Sequence, residues 1–135
     1  MGIVSFLGGL STKKPSLIAQ TNAIASAEQA LTIIFRDIAS EKNQLLYPAL
    51  THPISHAKHQ ATVISSAKNL MKSLSTLIFT TQGSSIESPL IDLINATESL
   101  EKSIAAYQEN DQVLSQLLLS CSSIKIHLEK IRSNL

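Results

Sequence analysis

Residues 63–78, VISSAKNLMKSLSTLI, decide the fold class. Val63, Ile64, Ala67, Leu70, Met71, Leu74, Leu77 and Ile78 recur three and four positions apart, with Ser, Lys, Asn and Thr between them. That spacing gathers the apolar side chains on one face of an α-helix. Upstream, Pro53 opens the helix, at a position where the missing N–H costs nothing because the first helical N–H groups are unpaired anyway. Downstream, the stripe stops near Gly83.

The same spacing recurs on both sides. Leu17, Ile24, Leu31, Ile34, Phe35 and Ile38 form a first stripe, with Ser16 as its N-cap. It either runs on through Leu45 and Leu46 to Pro48, or Ser40 caps a short extra helix between the first and second. Tyr47 to Thr51 is a connector in both cases. Ser88 and Pro89 read as the N-cap and first position of a third helix, with Leu90, Leu93, Ile94, Thr97, Leu100, Ile104 and Tyr107 as its stripe. Asn110 or Asp111 caps a fourth, with Val113, Leu114, Leu117, Leu118, Cys121, Ile124, Leu128 and Ile131. Strand-like alternation and hairpin turns are missing. Four one-sided helices with short connectors predict an all-α, up-down-up-down four-helix bundle, since short loops make sequential neighbours antiparallel. Residues 16–135 form the single bundle domain, and residues 1–15 are an N-terminal arm.

Composition excludes several functions. Among 135 residues, 44% are hydrophobic and only 16% charged, and eleven Lys+Arg against ten Asp+Glu leave a net charge of +1. A nucleic-acid binder that neutralises phosphates needs a basic excess, so none is expected. Abundant Leu and Ile argue against disorder. Cys121 is alone, so no internal disulfide forms. The apolar start MGIVSFLGGL lacks a basic n-region, and no apolar run approaches the roughly 18 residues that cross a bilayer. A cytoplasmic location is the expectation. Ser, Thr, Asn and Gln stand where surface helices usually carry Glu and Lys, which gives a weakly charged exterior suited to contact.

Three histidines crowd into THPISHAKH: His52, His56 and His59. They share a direction on the helical wheel and continue the stripe of the second helix, an arrangement from which imidazoles could ligate a transition metal or haem iron. Asp37, Glu41, Glu109 and Asp111 belong at the same end of the bundle. His52 precedes Pro53 and so falls outside the regular helix, and no HExxH, Glu-x-x-His or paired-Cys pattern accompanies the cluster. Structural closure of the bundle end is the favoured reading, and no cofactor is expected. A nucleophile with its base and oxyanion donors cannot be assembled either, so the chain reads as non-enzymatic.

Binding functions remain. Ile33, Ile34 and Phe35 make the first stripe wider than one face requires, which marks an edge for a protein partner, a second copy or the arm. Ile33, Phe35, Leu46 and Tyr47 are the expected contacts of an adaptor-type interaction module. The alternative is a carrier holding a lipid or fatty acid in the core, because many Leu and Ile with few aromatics could leave an interior void.

Overall fold

The computed structural model describes residues 17–46, 53–81 and 87–134. Helix α1 spans Leu17–Leu46, α2 Pro53–Thr81, α3 Glu87–Glu109 and α4 Leu114–Ser133, with a 3-10 turn at Asp111–Val113 leading into α4. They form a four-helix bundle, with no strand among the described residues. Hydrogen bonds between helices fix the directions. Asp37 meets Ser66 and Ser40 meets His59, so α1 and α2 are antiparallel. Ser103 meets Ser120 across α3 and α4, and Glu28 meets Arg132 across α1 and α4.

The core follows a seven-residue rule. Gln20, Ile24, Ala27, Leu31, Ile34, Ile38 and Glu41 are all buried, at alternating steps of four and three. Val63, Ala67, Leu70, Leu74, Leu77 and Thr81 do the same on α2; Leu93, Thr97, Leu100, Ile104 and Tyr107 on α3; Leu114, Leu117, Cys121, Ile124, Leu128 and Ile131 on α4. Such a repeat is the seam of knobs-into-holes packing between helices inclined by about 20°. Two seam positions carry Thr, and each hydroxyl is satisfied within its own helix: Thr81 donates to the Leu77 carbonyl and Thr97 to that of Leu93, both at 2.7 Å. Thr32, Thr62, Ser75, Thr76, Ser103 and Ser122 bond back one turn in the same way. A hydroxyl-rich exterior thereby turns part of its polarity inward onto the backbone.

The residues flanking the seam differ on its two sides. On the side where α1 faces α2, and α3 faces α4, stand mostly small residues, Ala23, Ala30, Ser66, Ser73, Ala96, Ser103 and Ser120, with Asp37, His59, Thr80, Val113 and His127 toward the ends. On the opposite side, where α1 faces α4 and α2 faces α3, stand Glu28, Phe35, Ile64, Met71, Ile78, Ile94, Leu118, Lys125 and Arg132. Backbone approach within 8 Å is accordingly most extensive within α1–α2 and within α3–α4, and least between the two pairs. The bundle is two tight hairpins joined across wider seams.

Several sequence expectations need revising. α1 is one helix to Leu46, so no separate helix starts at Ser40. Leu17 shares the seam register but is exposed. Phe35, Ile64, Met71, Leu90, Ile94, Val113 and Leu118 flank the core, half-buried. α3 begins at Glu87, so Pro89 lies inside its first turn, where its missing N–H is still harmless. Asn110 does cap, but it caps the 3-10 turn: its side-chain oxygen accepts the Gln112 amide at 3.0 Å. Ser16 and the arm, residues 1–15, lie outside the described residues.

The tight seam is sensitive to bulk. Ala23→Leu is expected to force α1 from α2 and to lower unfolding free energy by about 1–3 kcal/mol. Leu100→Ala, which empties a fully buried site, is expected to cost about 2–5 kcal/mol. Urea unfolding followed by circular dichroism measures both. If Ala23→Leu leaves the midpoint unchanged, small flanking residues do not set the α1–α2 distance.

Candidate functional site

Two regions differ from an ordinary helical surface: a polar end and a groove.

The polar end lies where α1 and α3 finish and α2 begins. Asp37 and Glu41 are four residues apart on α1, about 40° from superposition around its axis, and both are buried, at 9% and 0% exposure. Burying a carboxylate is costly unless its oxygens find donors. Ser66 Oγ donates to Asp37 Oδ2 at 2.5 Å, and the exposed Arg36 donates from Nε to Oδ1 at 3.4 Å. Tyr107, with no exposure, donates its hydroxyl to Glu41 Oε2 at 2.6 Å from across the bundle. Half-buried His59 places Nδ1 3.3 Å from Ser40 Oγ. Apart from the Arg36–Asp37 pair, which lies within α1, each contact joins α1 to another helix, so the layer fixes register as well as solvating charge.

This arrangement bears directly on the histidine cluster. His59 does turn toward α1, as its place on the stripe implies, and there it meets a serine. The side chain of His56 and all of His52 lie outside the described residues. Among the described residues, no three of His, Cys, Asp and Glu gather around one point. The fourth histidine, His127, sits on the tight flank of α4, its Nδ1 buried without a hydrogen-bond partner. Cys121 is buried on the α4 seam, and burial pushes its thiol up from 9.0 to about 12.

The groove follows the wide seam between α1 and α4. Leu31, Phe35 and Leu128 give it apolar walls, and Glu28, Thr32, Lys125 and Glu129 form its polar lining, around a volume of about 290 Å³ open to solvent. Phe35 stands on this flank of α1, seven residues after Glu28. At one end of this seam, Arg132 clasps Glu28 with Nε on Oε2 at 3.0 Å and Nη2 on Oε1 at 2.5 Å. That carboxylate raises the guanidinium pKa further, first through the hydrogen bonds and then through charge. A second groove of about 310 Å³ follows the other wide seam, lined by Lys68, Met71, Glu101, Ile104, Ala105 and Gln108.

Of the four expected contact residues, Phe35 lines the α1–α4 groove. Ile33 is exposed but projects some 200° away around α1, so the two do not share a surface. The side chain of Leu46 and the whole of Tyr47 lie outside the described residues. Sequence reading placed Leu128 on the stripe of the fourth helix but missed Lys125 and the Glu28–Arg132 clasp. Their signal was the large side chains recurring just after alternate seam positions, against small ones on the other flank.

Two outcomes test this geometry. Tyr107→Phe removes a hydrogen bond to a buried carboxylate and is expected to destabilise the fold by about 1.5–3 kcal/mol, against about 0.5–1.5 kcal/mol for the half-buried Ser103→Ala. Chemical denaturation of both variants provides the comparison, and equal losses would deny the Glu41 contact its special weight. For Cys121, the folded state holds a proton that the unfolded chain releases between about pH 9 and 12. Stability should therefore fall as pH rises through that window in wild type more than in Cys121→Ala. A thiol reagent at pH 8 should label the native protein only at the rate of unfolding; rapid labelling would place the thiol at the surface.

No protein-family model, curated protein or solved structure matches this chain, so the functional reading rests on these residues.

Proposed function

We propose that this protein is a non-enzymatic interaction module that receives an amphipathic helix of a protein partner along the α1–α4 groove. The observation that carries the reading is the half-buried Phe35, set with Leu31 and Leu128 in an open apolar trough between charged and polar residues. A helix binds such a trough by inserting apolar side chains at i, i+3, i+4 and i+7, while charges on the rim set its register. Glu28, Lys125 and Glu129 supply both signs of charge at that rim. The groove is open and near the lower end of the roughly 300–1,000 Å³ typical of small-molecule sites, which suits a few side chains better than an enclosed lipid. The non-enzymatic part of the reading is supported by Cys121, whose buried thiol is a poor nucleophile at neutral pH. Asp37 and Glu41, already bonded to Ser66 and Tyr107, stand as structural carboxylates.

A displayed library of amphipathic helices, selected on the wild-type protein, tests the proposal. Selected helices should carry apolar anchors at helical spacing. They should lose affinity about tenfold or more against Phe35→Glu, and little against Ile126→Glu on the outward face of α4. Circular dichroism of each variant confirms that the bundle persists. Failure to enrich any helix, or binding indifferent to Phe35, would overturn the groove as the docking site. Native mass spectrometry separates the carrier reading: an excess over 14.6 kDa lost on denaturation would identify a bound apolar molecule instead.

A further inference from the structure

The outward face of α4 carries two apolar side chains that the bundle core does not use. Leu119 and Ile126 stand opposite the α4 seam, at 69% and 54% exposure. Seven residues return almost to the same direction, so the pair forms one line about 10 Å long. Between them lie Ser122 and Ser123, both small and uncharged. Glu129 and Lys130 then follow Ile126 by three and four residues, which sets them on opposite sides of that line. The α2–α3 groove has the matching build. Met71, Ile104 and Ala105 make its apolar floor, with Lys68 on the α2 rim and Glu101 on the α3 rim. Among the described residues, none of Lys68, Glu101, Glu129 and Lys130 has an ion-pair partner within the chain.

Direction and height agree as well. The flank of α2 that meets α3 carries Ile64 and Met71. Seen from outside with α2 running upward, a right-handed helix sets that flank, and hence α3, on the left. A helix laid into the groove parallel to α2, with Leu119 and Ile126 inward, turns Glu129 to the right and Lys130 to the left. Glu129 then meets Lys68, and Lys130 meets Glu101. The reverse direction would pair like charges. Within one chain α2 and α4 already run the same way, both being antiparallel to α1. Arg132 is level with Glu28, and Asp37 with Ser66, which puts Ile126 at the height of Asn69, between Lys68 and Met71. A second copy standing beside the first, in the same orientation, therefore brings Ile126 to the groove without any slide along the axis.

We propose that this chain associates with copies of itself by laying the outward face of α4 into the α2–α3 groove of the next copy. Leu119 and Ile126 cover the groove floor, and Glu129 and Lys130 pair with Lys68 and Glu101 at its rims. The two surfaces lie on different parts of one chain, so the contact is heterologous: each copy gives one face and receives another. Association therefore passes beyond two copies, to a closed ring or an open chain. Apart from Glu129, which borders both surfaces, no residue of the α1–α4 groove takes part, and either inference can fail alone.

Sedimentation velocity of the full chain over a wide range of concentration tests the proposal, with circular dichroism confirming that each variant keeps its helices. The wild type should grow from 14.6 kDa to larger species as concentration rises. Ile126→Glu and Glu101→Lys, both at exposed positions, should each weaken association about tenfold or more. Adding Lys130→Glu to Glu101→Lys should restore it, because the reversed pair again attracts. An equal mixture of the Ile126→Glu and Glu101→Lys chains should form dimers and stop there, since the first keeps its groove and the second keeps its α4 face. Three results would overturn the proposal. One is a wild type that stays monomeric; if displayed helices then bind it and are lost on Glu101→Lys, the groove belongs to another protein. Another is association that Ile126→Glu leaves unchanged. The last is a mixture that stays monomeric at concentrations where the wild type associates.

Discussion

The distance between α1 and α2, set by Ala23, Ala30, Ser66 and Ser73, is the constraint from which most other features follow. Helices pack as closely as the side chains between them permit, over a range of about 8–10 Å. With Ala and Ser at most of the flanking positions between Ala23 and Asp37 on α1, Ser66 and Ser73 on α2, and Ala96, Ser103 and Ser120 on α3 and α4, α1–α2 and α3–α4 close tightly. Each helix has one small-residue flank already used, so it must meet its other neighbour through the flank bearing Phe, Met, Ile, Leu or a long charged residue. The polar contacts reflect the same division. Across the tight seams the bridges are short, Asp37 to Ser66 and Ser103 to Ser120. Across the wide seam the bridge is the long pair Glu28 and Arg132. An exposed pair of that kind adds little stability by itself; its effect is to hold α4 at one level along α1.

The polar layer at the other end of the bundle has a different role. A fully apolar seam of repeated Leu and Ile would tolerate sliding by one heptad, because every layer resembles the next. Glu41 and Tyr107 break that equivalence: a shift of seven residues would bury the carboxylate among aliphatic side chains and remove its phenolic donor. Asp37 and Ser66 impose the same demand on α1 against α2. Buried polar groups of this sort have their best-attested use in fixing register, at some expense of stability. Here the two pairs together lock three of the four helices into one alignment.

The helices themselves were legible because apolar spacing depends only on local geometry. The seams of α2 and α4 read almost directly from the sequence, including Cys121 as a core residue. Other features depended on partners that no local pattern reveals. Leu17 has the right register and the right chemistry, yet it is exposed. Ile33 and Phe35 look equivalent in a run of apolar residues, but the heptad puts one on the outside and the other in the groove. Asp37 and Glu41 are legible only as acidic residues at the histidine-bearing end until the seam is traced through them, and Tyr107 only as a stripe residue without its partner. The histidines were legible as a cluster, but whether a cluster ligates depends on where each ring turns, and His59 turns to Ser40.

These contrasts explain why a binding function is better sought on the wide seam than at the histidine-bearing end. A binding surface needs groups whose interactions are incomplete in the free protein. At the polar end the buried carboxylates Asp37 and Glu41, and His59, already face hydroxyl or phenolic partners, and a ligand there would have to compete with contacts that also hold the helices in register. On the wide seam between α1 and α4, the large flanking residues that keep the helices apart also leave Phe35 half-buried beside Leu31 and Leu128. Covering that ring would bury more apolar surface without breaking any interhelical hydrogen bond at Asp37, Glu41 or Ser103. The groove is thus a consequence of the packing asymmetry: a bundle that places most of its small residues between α1 and α2 and between α3 and α4 leaves its trough on the other side.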